Sequence, residues 1–143
     1  MAFRFAFSFL PNLPALREAA NALEAFLQEH RVDEKSIFIL QTALEELATN
    51  AMKYACPPAQ TPSLRWEIAL PEASEESSSI KCRFTHSGQP FNPLETHPET
   101  SAPPASGGFG LKMLRGLFAE FSYAQAGDEN QFSLTLPVSP PSP

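Results

Sequence analysis

A chain of 143 residues is long enough to bury a sizeable core and short enough to form one domain. Its formal net charge of -6 and pI near 5.0 argue against nucleic acid or an anionic membrane surface as a partner, and no run of Lys or Arg offsets them. The two cysteines, Cys56 and Cys82, lack metal-binding spacing and read as the reduced thiols of a cytoplasmic protein, and no apolar stretch approaches the length of a transmembrane helix.

Near the start, Phe3, Phe5, Phe7 and Phe9 alternate with Arg4, Ala6 and Ser8 until Pro11 stops the run. A signal peptide would have a longer, uninterrupted apolar core, so the pattern predicts a strand with one buried face. Asn12 and Pro14 then mark the start of a helix in which Leu16, Ala19, Ala20, Leu23, Phe26 and Leu27 recur at helical spacing. His30 and Arg31 suit its C-terminal end. Asp33 is placed to cap a second helix, with Val32 as a hydrophobic staple. From Ser36 to Ala55 that helix carries one apolar stripe of Ile37, Leu40, Leu44, Leu47, Ala51 and Tyr54, until Cys56-Pro57-Pro58 ends it.

Leu64, Trp66, Ile68 and Leu70 alternate with Arg65, Glu67 and Ala69, which predicts a strand with Trp66 in the core. A polar connection, Pro71 to Ser79, leads to a second such run at Ile80, Cys82 and Phe84. Pro90 to Ser106 is proline-rich and without period, the pattern of a long functional loop. A short helix over 111–118 and two strands, 121–126 and 131–136, complete the domain around a turn at Gly127-Asp128-Glu129-Asn130. The domain is expected to span 1–136, with 137–143 a disordered Pro/Ser-rich tail. This order predicts an α+β fold: a two-layer sandwich, with helices on one face of a mixed, mostly antiparallel sheet.

Two stretches carry chemistry. Beside the apolar stripe of the second helix run Ala43, Glu46, Asn50 and Lys53. Glu46 and Asn50 are one turn apart and point the same way. A carboxamide oxygen suits a hard divalent cation, and a carboxylate one turn away can accept a proton from an attacking hydroxyl. Downstream, Gly107, Gly108 and Gly110 precede Leu111 at a helix start, where free N–H groups and close backbone approach favour a phosphate.

Together these stretches resemble a known family. EELATNAMKYA (Glu45 to Ala55) is similar to the N box of the GHKL ATP-binding superfamily, and GGFGLKML (Gly107 to Leu114) to its distal glycine box. FTHSGQPFNPL (Phe84 to Leu94) stands where that superfamily has its adenine-binding segment. FSYAQAGDENQFSLTL (Phe121 to Leu136) resembles the closing hairpin of its small serine-kinase branch, the anti-sigma factor kinases of bacterial partner-switching systems.

The resemblance implies the Bergerat, or histidine-kinase-like ATPase, fold. It also implies ATP and Mg2+ as cofactors, and an anti-anti-sigma protein with a STAS domain and a sigma factor as partners. It leaves room for a homodimer. Carried over by position, Glu46 would be the general base and Asn50 the magnesium ligand. Lys53 could reach a phosphate. Gly88 would lie against the adenine ring, and Gly107, Gly108, Gly110 and the Leu111 backbone would cradle the phosphates under a lid from Pro90 to Ser106.

One position departs from the family pattern. His86 replaces an aspartate that accepts a hydrogen bond from the adenine amino group, so one acceptor nitrogen would stand in for a carboxylate. Two functional classes follow: an active serine/threonine protein kinase, or a module of the same fold that regulates by protein contact with weak or no nucleotide binding. Glu46, Asn50 and the three glycines favour the kinase.

Overall fold

The computed structural model describes residues 4–56, 60–71, 78–90, 92 and 113–138. The first strand, β1 (Arg4–Phe9), leads into α1 (Leu13–Glu29) and α2 (Glu34–Tyr54). Four further strands follow: β2 (Leu64–Ala69), β3 (Ser78–Ser87), β4 (Glu120–Ala126) and β5 (Glu129–Val138). They form a sheet in the order β1-β2-β3-β5-β4. The sheet, expected to be mixed and mostly antiparallel, is antiparallel at every one of these ladders.

Both helices start where capping chemistry puts them. Asn12 Oδ1 accepts the Ala15 N–H at 2.8 Å, with Pro14 in the first turn where its missing N–H costs nothing. Asp33 accepts the Ser36 N–H at 3.0 Å and the Ser36 hydroxyl at 2.8 Å. Burial pushes the Asp33 carboxyl up, but these two bonds, the Asp33 backbone N–H and the Lys35 ammonium together outweigh it and hold the group below its usual range.

The end of α1 is less conventional. Arg31 takes a left-handed conformation (φ 59°), its N–H donating to Gln28 O while Val32 N–H reaches back to Leu27 O. This is the paired bonding that a glycine usually closes. Arg31 therefore turns the chain toward α2 rather than merely adding charge to a helix end.

One face of the sheet is apolar. Leu64, Trp66, Ile68, Ile80, Phe84, Phe132 and Leu134 are almost wholly buried and pack into one core with Leu23, Leu27, Leu40 and Leu44 from the helices. Each such side chain contributes roughly 1.5–3 kcal/mol by leaving water. Gln41 ties the helices together, its amide donating to Ala20 O at 3.3 Å and Glu24 Oε2 at 3.0 Å. Among the described residues, the Trp66 indole N–H is a buried donor with no partner.

Several sequence expectations need correction. α2 buries more than one stripe: Ala43, expected on the polar edge, is fully buried, as is Ala48, and Ile39 is buried too. Tyr54, the last residue of α2, is 54% exposed. β3 begins at Ser78, inside the expected polar connection, and β5 runs through Pro137 and Val138, two residues into the expected tail. Ser78 and Ser79 pair with Val138 and Pro137, and β4 begins only opposite Thr135, so that end of β5 has one strand neighbour and tolerates a proline. The closing turn is tighter than expected, with Ala126 paired to Glu129 and Gly127 at φ 62°. Of the short helix over 111–118, residues 113–115 are helical and Leu114 and Phe118 are buried, whereas Leu117 is exposed.

Candidate functional site

The polar edge of α2 survives the packing of its neighbours. Glu46 and Asn50 are half-buried, Lys53 is exposed, and Glu45 lies exposed off that edge. Burial pushes the Glu46 carboxyl above its ordinary range; the Glu45 carboxylate adds to the rise and the Lys53 ammonium opposes it. A carboxyl raised in this way is a better proton acceptor than a solvated one.

At the C-terminal end of α2 the helix meets the end of β3. Ala55 and Cys56 both direct their N–H groups to Ala51 O, and Gln89 N–H donates to Ala55 O at 3.3 Å. Gly88 makes this approach feasible, with φ at 117°. A cleft of about 690 Å³ opens at the joint, lined by Met52, Lys53, Tyr54, Cys56, Gly88 and Gln89, with Asp128 from the β4–β5 turn opposite. The structure thus brings Lys53 and Gly88 together. Glu46, Asn50 and His86 are not among the residues that line this cleft. Gly107, Gly108, Gly110 and Leu111, with most of the expected lid, lie outside the described residues.

His86 sits directly beneath the joint. It is 1% exposed, its ring near-parallel to Phe132 at 6.0 Å and tilted against Phe84 at 5.8 Å. Its Nδ1 lies 3.0 Å from the Ser87 carbonyl oxygen. A carbonyl can only accept, so the proton belongs on Nδ1 and the lone pair on Nε2. Burial holds the imidazole below its usual pKa, with the Ser87 carbonyl partly opposing that shift. His86 is therefore a neutral ring offering one acceptor nitrogen.

Other residues at this end take roles that their local sequence does not show. Asn130, opposite His86 in the β3–β5 ladder, is fully buried. Its Oδ1 accepts the Tyr123 hydroxyl and its Nδ2 donates to Gln89 O at 3.1 Å, fastening the segment after Gly88 to the β4–β5 hairpin. Cys56 Sγ lies 3.1 Å from Ser63 Oγ, and Ser87 N–H donates to Ser63 O at 3.2 Å. Asn130 reads locally as a turn residue, and only the ladder shows that it faces inward. Both cysteines are free and buried, and burial pushes the Cys82 thiol far up, so it is inert as a nucleophile.

The histidine kinase-like ATPase domain family matches residues 9–136. No curated protein matches the chain in sequence at a significant level. Among solved structures, the RsbU and RsbW domains of Rv1364c from Mycobacterium tuberculosis share this fold with a TM-score of 0.66 at 16% identity, over 96% of this chain and 33% of that one. The chain thus spans about a third of that structure's length. Among the described residues no helix is long and apolar enough to cross a membrane.

Proposed function

The chain belongs to the histidine kinase-like ATPase domain family, and from that premise we propose that it is an ATP-dependent serine/threonine protein kinase acting as an anti-sigma factor in a bacterial partner-switching system. Its substrate is an anti-anti-sigma protein of the STAS type, and the protein it sequesters is a sigma factor. The likeness to a structure containing an RsbW domain supports this branch of the family.

The observation that carries the proposal is Glu46, a half-buried carboxyl raised by its surroundings, one helical turn before the half-buried Asn50. Bound ATP supplies the phosphoryl group, and magnesium neutralises the charge on its oxygens. The chemistry of the donors supports those two groups. Among the described residues no three His, Cys, Asp or Glu side chains cluster to hold a metal alone. Magnesium does not need such a cage, because it takes one or two protein oxygens and fills its shell with phosphate and water. Asn50 would give it a carboxamide oxygen, and Lys53, at the cleft, would meet a phosphate. Gly88 and the Nε2 lone pair of His86 would receive the adenine. Gly107, Gly108, Gly110 and Leu111 would hold the phosphates.

In this scheme the Glu46 carboxylate accepts the proton of the substrate serine hydroxyl as its oxygen attacks. The remaining residues position and neutralise, which is most of what phosphoryl transfer requires. Calorimetric titration with ATP, with and without magnesium, is the direct test. Magnesium-dependent binding with Kd of roughly micromolar to millimolar is expected. No heat at millimolar ATP would replace the kinase with the module that works by contact alone.

A further inference from the structure

The face of the sheet turned away from the helices carries a charge pattern that no stretch of sequence displays. The ladders place Arg4, Ala69, Lys81 and Thr135 side by side in one row across β1, β2, β3 and β5. The next row on that face is Ala6, Glu67, Arg83 and Ser133, and the one after it begins Ser8, Arg65. Four of the chain's ten basic residues, Arg4, Arg65, Lys81 and Arg83, line one trough on this face with only two of its sixteen acidic ones, Glu67 and Glu120, while Glu129 shares the face at its far end, opposite Ser87. Six basic residues face fourteen acidic ones in the rest of the chain.

One of those two carboxylates is already engaged. Glu67 Oε1 lies 3.2 Å from Arg65 Nε, and Arg65 Nη1 also donates to Ser8 Oγ at 3.0 Å. Glu120 stands two strands from Lys81, beyond Thr135. Arg4, Lys81 and Arg83 are exposed. Between the cations the floor is small, with Ala6, Ala69 and Ser133, and it leaves a shallow trough of about 550 Å³.

We infer that this open sheet face is a docking surface for an extended, acidic segment of a partner protein. Lys81 and Arg83 are two apart on one strand, roughly 6.6–6.8 Å along it, which is also the spacing of alternate side chains in an extended peptide. Carboxylates on every second residue of such a segment would meet both cations, and the small floor admits its backbone. A nucleic acid fits less well: its continuous line of phosphates would meet only Arg4, Lys81 and Arg83 besides the paired Arg65, next to Glu67 and Glu120, whereas an extended segment needs carboxylates only opposite Lys81 and Arg83. The trough shares no lining residue with the cleft at Gly88.

The probe is a short synthetic peptide alternating Glu with Thr, labelled for fluorescence anisotropy and titrated with the full chain at low and at physiological salt. Its Lys-Thr counterpart, a single-stranded DNA oligonucleotide and phosphatidylserine vesicles serve as comparators. The acidic peptide is expected to bind in preference to all three, more weakly as salt rises, and about tenfold more weakly to the Lys81→Glu/Arg83→Glu variant. Amide shift mapping on the wild-type chain needs no variant, and the perturbed amides should fall on β2 and β3. ATP titration of the variant should match wild type, which separates this surface from the kinase reading. Absence of peptide binding, insensitivity to charge reversal, shifts confined to the helices, or tighter binding of DNA or vesicles would each overturn the inference.

Discussion

Gly88 closes against the last turn of α2 so tightly that a β-carbon built on it would lie 2.0 Å from the carbonyl oxygen of Ala55 and 2.8 Å from its carbonyl carbon. The obstructing atoms are backbone, which cannot swing aside as a side chain can. At φ 117° the position is also one that L-residues rarely adopt. Both constraints act at the joint where α2, β3 and the candidate cleft meet.

Replacing Gly88 with Ala should therefore cost on the order of 3 kcal/mol, combining backbone strain with displacement of the Ala55 turn. Urea denaturation followed by Trp66 fluorescence measures it, since that indole is fully buried and is the chain's sole tryptophan. A loss below about 0.5 kcal/mol, the scale of an ordinary surface substitution, would show that the joint opens freely.

Glu46→Gln keeps shape and removes the proton acceptor. Phosphoryl transfer to a partner serine should fall by about 10²-fold or more, with ATP affinity nearly unchanged. Stability gives a second readout. The folded-state pKa of Glu46 is raised, so the native state holds more protons than the unfolded state above the ordinary value of 4.5. Wild-type stability should thus decline as pH rises through that region, and the Gln variant should lack this component. A variant as active as wild type would reduce Glu46 to a helix-surface residue.

Arg31 offers a stabilising change. Its left-handed conformation strains a residue with a β-carbon, whereas glycine adopts it without cost. Arg31→Gly should raise stability by about 0.5–1 kcal/mol, less whatever the added freedom of the unfolded chain takes back. Guanidinium titration of the two proteins decides the matter. A destabilised variant would mean that the Arg31 side chain contributes more than its backbone strain costs.

What could be read from sequence was local chemistry. Asn12 and Asp33 announce helix starts because capping needs only a side chain and an N–H three residues on, and the strands of alternating Phe, Trp, Ile and Leu show their faces by period two. Features created by distant pairing left no such mark. Ala43 looked polar by its neighbours, yet α2 is covered by α1 as well as the sheet, so its buried face is wider than one stripe. The basic patch joins Arg4 to Lys81 through Ala69, a relation that exists only once three strands are in register. The candidate site divides the same way: the Glu46–Asn50 spacing follows from helix geometry, whereas the approach of Gly88 to Ala55 and the burial of Asn130 against Gln89 follow from tertiary packing.

His86 gives the most exposed test, because two independent measurements must agree. Its folded-state pKa is lowered by burial, so the unfolded chain binds the proton first and wild-type stability should fall as pH drops below about 6.5. In His86→Asp the buried group is a carboxyl between Phe84 and Phe132, whose pKa burial raises. That variant should instead lose stability as pH rises above the ordinary carboxylate range, reversing the slope. If the position meets the adenine amino group, the carboxylate should also strengthen ATP binding by about tenfold, roughly 1.4 kcal/mol, by replacing a neutral acceptor with a charged one. Discrimination against GTP should increase, since guanine presents a carbonyl where adenine has its amino group. Calorimetry of both nucleotides on both proteins, beside denaturation at several pH values, separates the two roles. A reversed pH slope with equal nucleotide affinities would make His86 a core residue that never touches the base. An unchanged slope would contradict the burial itself.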